Sequence, residues 1–188
     1  MSIWTNKLVL AVGLALCQPA PAVAEGQTLP KSVVLRGDGI TVKGPSGYCP
    51  DPATVSQSGG VAAVVLGRCD DQSKATPAVI FVTFGRAGSA AAMAAGGADL
   101  AAFFTSEAGR KSLSRRGQAS DVSVTAARSV REVFLFRVSD EGEGLYWRGM
   151  FAIKGRTVSV KVVGPELGED ESRKLVEGTA KALRRANR

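Results

Sequence analysis

Enzymatic chemistry needs a group that exchanges a proton near neutral pH, a nucleophile, or a set of metal ligands. The 188-residue chain contains no histidine, and histidine is the usual general base and the commonest metal ligand. Ser–His–Asp triads, Cys–His pairs and imidazole metal sites are therefore excluded. What remains of catalytic type is a serine activated by a neutral lysine, a pair whose members meet only in the fold, or carboxylate pairs or a tyrosine, each of which needs a pocket to shift its pKa. The chain has no Gly-x-Ser-x-Gly elbow, no Ser-x-x-Lys, no phosphate loop ending Gly-Lys-Ser/Thr and no Gly-x-Gly-x-x-Gly turn. The sequence thus points to no cofactor. Glu141-Gly142-Glu143 and Glu169-Asp170-Glu171 carry the carboxylates that hard cations take, but they read as a solvated hairpin turn and an acidic helix start, so no metal is expected.

Binding is the chemistry that the charged and aromatic residues suit better. The formal net charge is +7. Arg110, Lys111, Arg115 and Arg116 lie together with no acid between Glu107 and Asp121, and a basic surplus raises association with anionic surfaces. A second group, Lys181, Arg184, Arg185 and Arg188, reads as compensation at a helix end. Gly44-Pro45-Ser46-Gly47-Tyr48-Cys49-Pro50-Asp51-Pro52 is a loop stiffened by prolines, and a stiff loop loses little entropy on binding. Tyr48 and Asp51 are its candidate recognition residues, although Tyr48 is equally suited to packing in the core. Trp147 with Arg148 offers stacking and charge, yet a tryptophan inside a strand is usually core.

Compartment follows from the amino end. Lys7 precedes an apolar run over residues 8–16, and Ala22-Val23-Ala24 follows two prolines. One cation, a short apolar stretch and a small-x-small ending make a secretory signal over residues 1–24. The run is too short for a spanning helix of roughly 20 residues. Cleavage after Ala24 removes one lysine, no acid and Cys17, so the mature chain carries +6 and keeps Cys49 and Cys69. A periplasmic or secreted location is expected, with no transmembrane segment in the mature chain. An exported pair of cysteines reads as a disulfide, and closing this loop stabilises by roughly 3 kcal/mol in the chain-entropy model. Partners after export are an envelope protein or an anionic envelope surface, and not nucleic acid.

These residues must be positioned by a single domain over residues 33–188, after a tail at 25–32. Strands are expected at 33–35, 40–43, 61–66, 78–84, 122–125, 132–138, 145–153 and 157–163, from apolar or alternating runs bounded by turn residues. A helix of about 15 residues is expected from an Asp99 N-cap, with Gly109 as the place where it would break. A terminal helix begins at Glu169, with acids first and bases last as the helix dipole favours. Leu175, Val176, Thr179, Ala180 and Leu183 share one of its faces. Strands in sequence covered by helices make an α+β fold with an antiparallel sheet.

Gly44-Pro45-Ser46-Gly47-Tyr48 after a first strand, Trp147-Arg148-Gly149-Met150-Phe151 in one strand and Gly155-Arg156 in a turn form a recognisable series. With Val158-Ser159-Val160-Lys161-Val162 before a final amphipathic helix, the chain from Ile40 to Arg185 resembles the PsbP-like α/β/α sandwich group. The resemblance implies a non-catalytic scaffold that assists assembly or binds partners, and no shared active site. The cysteine pair is not part of that group's general pattern. The function expected is an exported, disulfide-stapled binding or assembly module of the cell envelope, and the alternative is a periplasmic hydrolase using a Ser/Lys pair. The mature protein is predicted to begin at Glu25. Amino-terminal sequencing of the exported form checks this, and a lipid-modified Cys17 would refute it.

Overall fold

The computed structural model describes residues 28–37 and 39–188; the expected signal segment lies outside them. The strands are β1 (Val33–Leu35), β2 (Ile40–Val42), β3 (Tyr48–Pro50), β4 (Ser56–Ser58), β5 (Val61–Arg68) and β6 (Val79–Phe84), then β7 (Val122–Val130), β8 (Val133–Asp140), β9 (Gly144–Ile153) and β10 (Arg156–Val163). Helices α1 (Gly96–Thr105) and α2 (Glu107–Leu113) lie between β6 and β7, and α3 (Glu169–Ala186) ends the chain.

All pairings in the main sheet are antiparallel, in the order β3-β5-β6-β10-β9-β8-β7, with β4 pairing the same edge of β5 as β3. After β6 the chain crosses to the far edge, and the meander from β7 returns until β10 pairs with β6. The fold class is α+β, as the element pattern implies.

Alternation in β10 sets the two faces. Val158, Val160 and Val162 are fully buried while Thr157, Ser159 and Lys161 point the other way, because successive side chains alternate across a strand. The valines join Ile80, Val82 and Phe84 of β6 and Val64 and Leu66 of β5 in the larger core, which α3 closes with Val176, Ala180 and Leu183. The β1–β2 hairpin adds Leu35, Ile40 and Val42 to it. On the opposite face Phe134, Phe136, Val138 and Tyr146 pack beneath Leu100, Phe104 and Leu113 of α1 and α2. Phe104 stacks on Phe136 with centroids 4.6 Å apart.

The expected single helix is two. Ser106 is extended at ψ 164° and its side chain accepts the Gly109 N–H, so it caps α2. Gly109 does not break a helix; it lets two helices cross. A Cβ there would lie 2.0 Å from the Phe103 carbonyl oxygen. Asp99 sits inside the first turn of α1 and not at its cap. The strand expected to stop at Thr125 runs on to Val130, with a register shift between Val124 and Ala126. This bulge turns Ala126 and Val130 toward the α3 core, which breaks the alternation that a period-two reading follows.

Cys49 and Cys69 form the disulfide, 20 residues apart in sequence, across the β3–β5 edge. Gly149 marks the closest approach of α3 to the sheet, since a Cβ there would meet Val176 Cγ1 at 2.6 Å and Leu135 Cδ2 at 3.3 Å. Overpacked core positions cost about 1–3 kcal/mol. Gly149→Ala should lower the unfolding free energy by that amount, read as an earlier urea midpoint.

Candidate functional site

The loop residues expected to face a partner are used by the fold. Tyr48 is 6% exposed and its hydroxyl donates to the Thr76 carbonyl oxygen at 2.6 Å. Burial, with the nearby Glu171 charge, pushes its pKa above the ordinary value. Asp51 accepts the Ala53 N–H at 2.9 Å and caps the 3-10 turn Pro52–Thr54. Trp147 is buried beneath α3, with the Arg128 guanidinium 5.7 Å from its ring centre.

Two of the four cations around α2, Arg115 and Arg116, acquire acidic partners. Arg116 Nε donates to Asp121 at 2.9 Å and its Nη2 lies 3.6 Å from Glu141, while Arg115 is 3.8 Å from Glu143. The Arg116 hydrogen bond holds the Asp121 carboxyl below its usual range. Arg110 is half-buried, and its buried Nε has no hydrogen-bond partner among the described residues. Lys111 is exposed. The β8–β9 turn, remote in sequence, thus brings acid to Arg115 and Arg116. The acidic groups are engaged as well: Glu143 pairs with Lys161, Glu169 with Arg137, and Asp170 with Arg173. Among the described residues no lysine is hydrogen-bonded to a serine hydroxyl.

A different surface gathers more cations than its acids neutralise. Lys174, Gly178, Lys181 and Arg185 follow one another at helical spacing along the outer stripe of α3, and Arg188 lies just past its end. Beside them the β7–β8 turn presents Arg131 and Glu132, both at positive φ (48° and 66°). The Arg184 Nη1 donates to the Arg131 carbonyl oxygen at 2.8 Å, and its Nη2 pairs with the Glu132 carboxylate. Arg184 thereby holds a turn that non-glycine residues rarely adopt.

Between helix and turn lies a groove of about 830 Å³ floored by Val130, Val133 and Gly178. Six cations line it, Arg131, Lys174, Lys181, Arg184, Arg185 and Arg188, against two acids, Glu132 and Glu177. Both acids are taken, Glu132 by Arg184 and Glu177 by Arg173 at 2.7 Å. A smaller hollow of about 450 Å³ continues past Lys181 and Arg185 to Lys43. Lys181, Arg184, Arg185 and Arg188 lie close together in the sequence, but only folding brings them together with Lys43, Lys174 and Arg131. Helical spacing from Lys174 to Arg185 was the signal available for one side of the groove.

No family model matches the chain, and neither a curated protein nor a solved structure does.

The two tyrosines of the chain provide a pH test of this packing. Burial pushes the Tyr146 phenol up to about 12, whereas an unfolded tyrosine ionises near 10. Above pH 10 the unfolded chain releases protons that the folded protein keeps, so stability is full below that pH and falls as pH rises toward 12. Ultraviolet titration of phenolate should show Tyr146 ionising last, and denaturant midpoints should fall over the same window.

Proposed function

We propose that the protein is an exported, disulfide-stapled binding module of the cell envelope that performs no chemistry and attaches to an anionic envelope surface. One observation carries this reading: six cations line the α3 groove against two acids among the described residues, and since Arg184, one of the six, takes Glu132 while Arg173 takes Glu177, five cations of the groove remain in surplus. Convergent like charge is costly unless an anion or water relieves it, and it concentrates anions from solution. The carboxyl end of α3, the negative pole of its dipole, lies in the basic groove and eases part of the crowding among the cations. The disulfide suits an oxidising compartment. No helix among the described residues is long and apolar enough to cross a membrane. The resemblance to PsbP-like scaffolds fits the same role.

Co-sedimentation with phosphatidylglycerol vesicles tests the proposal. Each cation near an anionic surface contributes about 1 kcal/mol, so Lys181→Ala/Arg185→Ala/Arg188→Ala should weaken binding roughly a hundredfold. Replacing Arg110, Lys111, Arg115 and Arg116 by alanine should do less, since two of them are paired. Binding should also fade between 0.1 M and 1 M salt, as the screening length drops from about 10 Å to about 3 Å. Vesicle binding indifferent to salt and to the triple substitution would refute the assignment.

A further inference from the structure

The sheet face that α1 and α2 shield over β7 and β8 carries no α-helix over β5 and β6 among the described residues. There Val61, Val79 and Phe81 are 42%, 38% and 39% exposed, and Ala63, Val65 and Thr83 of the same face are partly exposed. Val65, Phe81, Lys161, Arg148 and Phe136 stand in one cross-strand row, from the open side to the covered side. The next row is Ala63, Thr83, Ser159 and Met150. An apolar strip therefore runs up to two cations and two hydroxyls.

The two cations differ in their partners. Lys161 pairs with Glu143 and rests 4.7 Å from the Tyr146 ring centre. Arg148 Nε donates to Ser159 Oγ at 2.8 Å, but no carboxylate pairs with it among the described residues. Burial is the main cause that pulls its pKa down. A desolvated guanidinium without a counter-ion is costly, and its planar fork matches a carboxylate. Glu143, shared by Lys161 and Arg115 and also felt by Arg148, is the one acid set against these cations among the described residues, so the row keeps a positive surplus that favours an anionic head group.

We infer that this open half of the sheet binds a single-chain amphiphile with a carboxylate head, a fatty acid, its head on Arg148 with Ser159 and Thr83 and its alkyl chain across Phe81, Val65 and Val79. Thr83 is the direct cross-strand neighbour of Ser159, close enough for both hydroxyls to serve one head group. The site is separate from the α3 groove, on the other face of the sheet, and does not depend on the reading of that groove.

Calorimetric titration of the purified protein with dodecanoate, kept below its aggregation concentration, tests the site. Saturable binding with one ligand per chain is expected, with dodecanol at least tenfold weaker. Arg148→Met should weaken dodecanoate binding by tenfold or more, as loss of a charge-assisted contact implies. Phe81→Ser should weaken it several-fold, and Lys181→Ala in the α3 groove should leave it unchanged. Amide resonances of Phe81, Thr83 and Ser159 should shift during the titration. If Arg148→Met fails to fold, Arg148→Lys and the alcohol comparison on the unaltered protein decide the matter. No saturable binding, equal affinity for dodecanol, or resonance shifts confined to α3 would overturn the inference.

Discussion

The seam where β6 pairs with β10 joins two stretches of chain that nothing else in the main sheet would connect, because every earlier strand of that sheet lies on one side of it and every later strand on the other. Six residue pairs form it, from Val158 with Phe84 to Val163 with Val79. Its inward side chains, Ile80, Val82, Phe84, Val158, Val160 and Val162, are fully buried. Burying such side chains contributes about 1.5–3 kcal/mol each relative to exposure, so this row anchors both layers. The α3 helix can seal the core only because the seam brings β9 and β10 beside the amino-terminal strands. The groove along α3 and the open face over β5 and β6 both follow from that closure.

Electrostatics is sorted by the same topology. The β8–β9 turn and the first turn of α3 bring Glu143 and Glu169 to one common hollow. The carboxyl end of α3 and the β7–β8 turn gather the cations at another. Acids near the helix amino end and bases near its carboxyl end complement the helix dipole, so the segregation stabilises the fold while leaving one region strongly positive. Arg184 belongs to both aspects, as a cation of the groove and as the clamp on the Arg131–Glu132 turn.

How much of this was legible depends on the range over which each signal acts. The alternation of Val158, Val160 and Val162 is local and translates directly into β10, and the helical spacing of Val176, Ala180 and Leu183 into the buried face of α3. The helix boundary at Ser106 escaped because the residue that looked like the breaker, Gly109, is needed for close approach to Phe103, a tertiary fact. Tyr48 could have served recognition or packing on sequence grounds, and only the carbonyl of Thr76, 28 residues away, shows it as core. The cation patch around α2 looked free since its acids come from residues 121, 141 and 143. The basic groove was legible on its α3 side only, for the converse reason. Its cations come from the β7–β8 turn and two faces of α3, and only folding brings them together.

The outer edge of β5 carries a consequence for how copies of this chain keep apart. Eight residues long, β5 is guarded by two three-residue strands, β3 and β4, each too short to offer a neighbouring molecule much backbone to pair with. Short edge strands are a known defence against sheet-to-sheet growth. The Cys49–Cys69 bond pins β3 to the end of β5, so the disulfide acts as a guard on that edge as well as a staple of the fold. In a reducing environment the guard loses its covalent tie and rests on the three β3–β5 residue pairs and the backbone bonds that flank them, Cys69 N–H to Gly47 and Asp51 N–H to Val65.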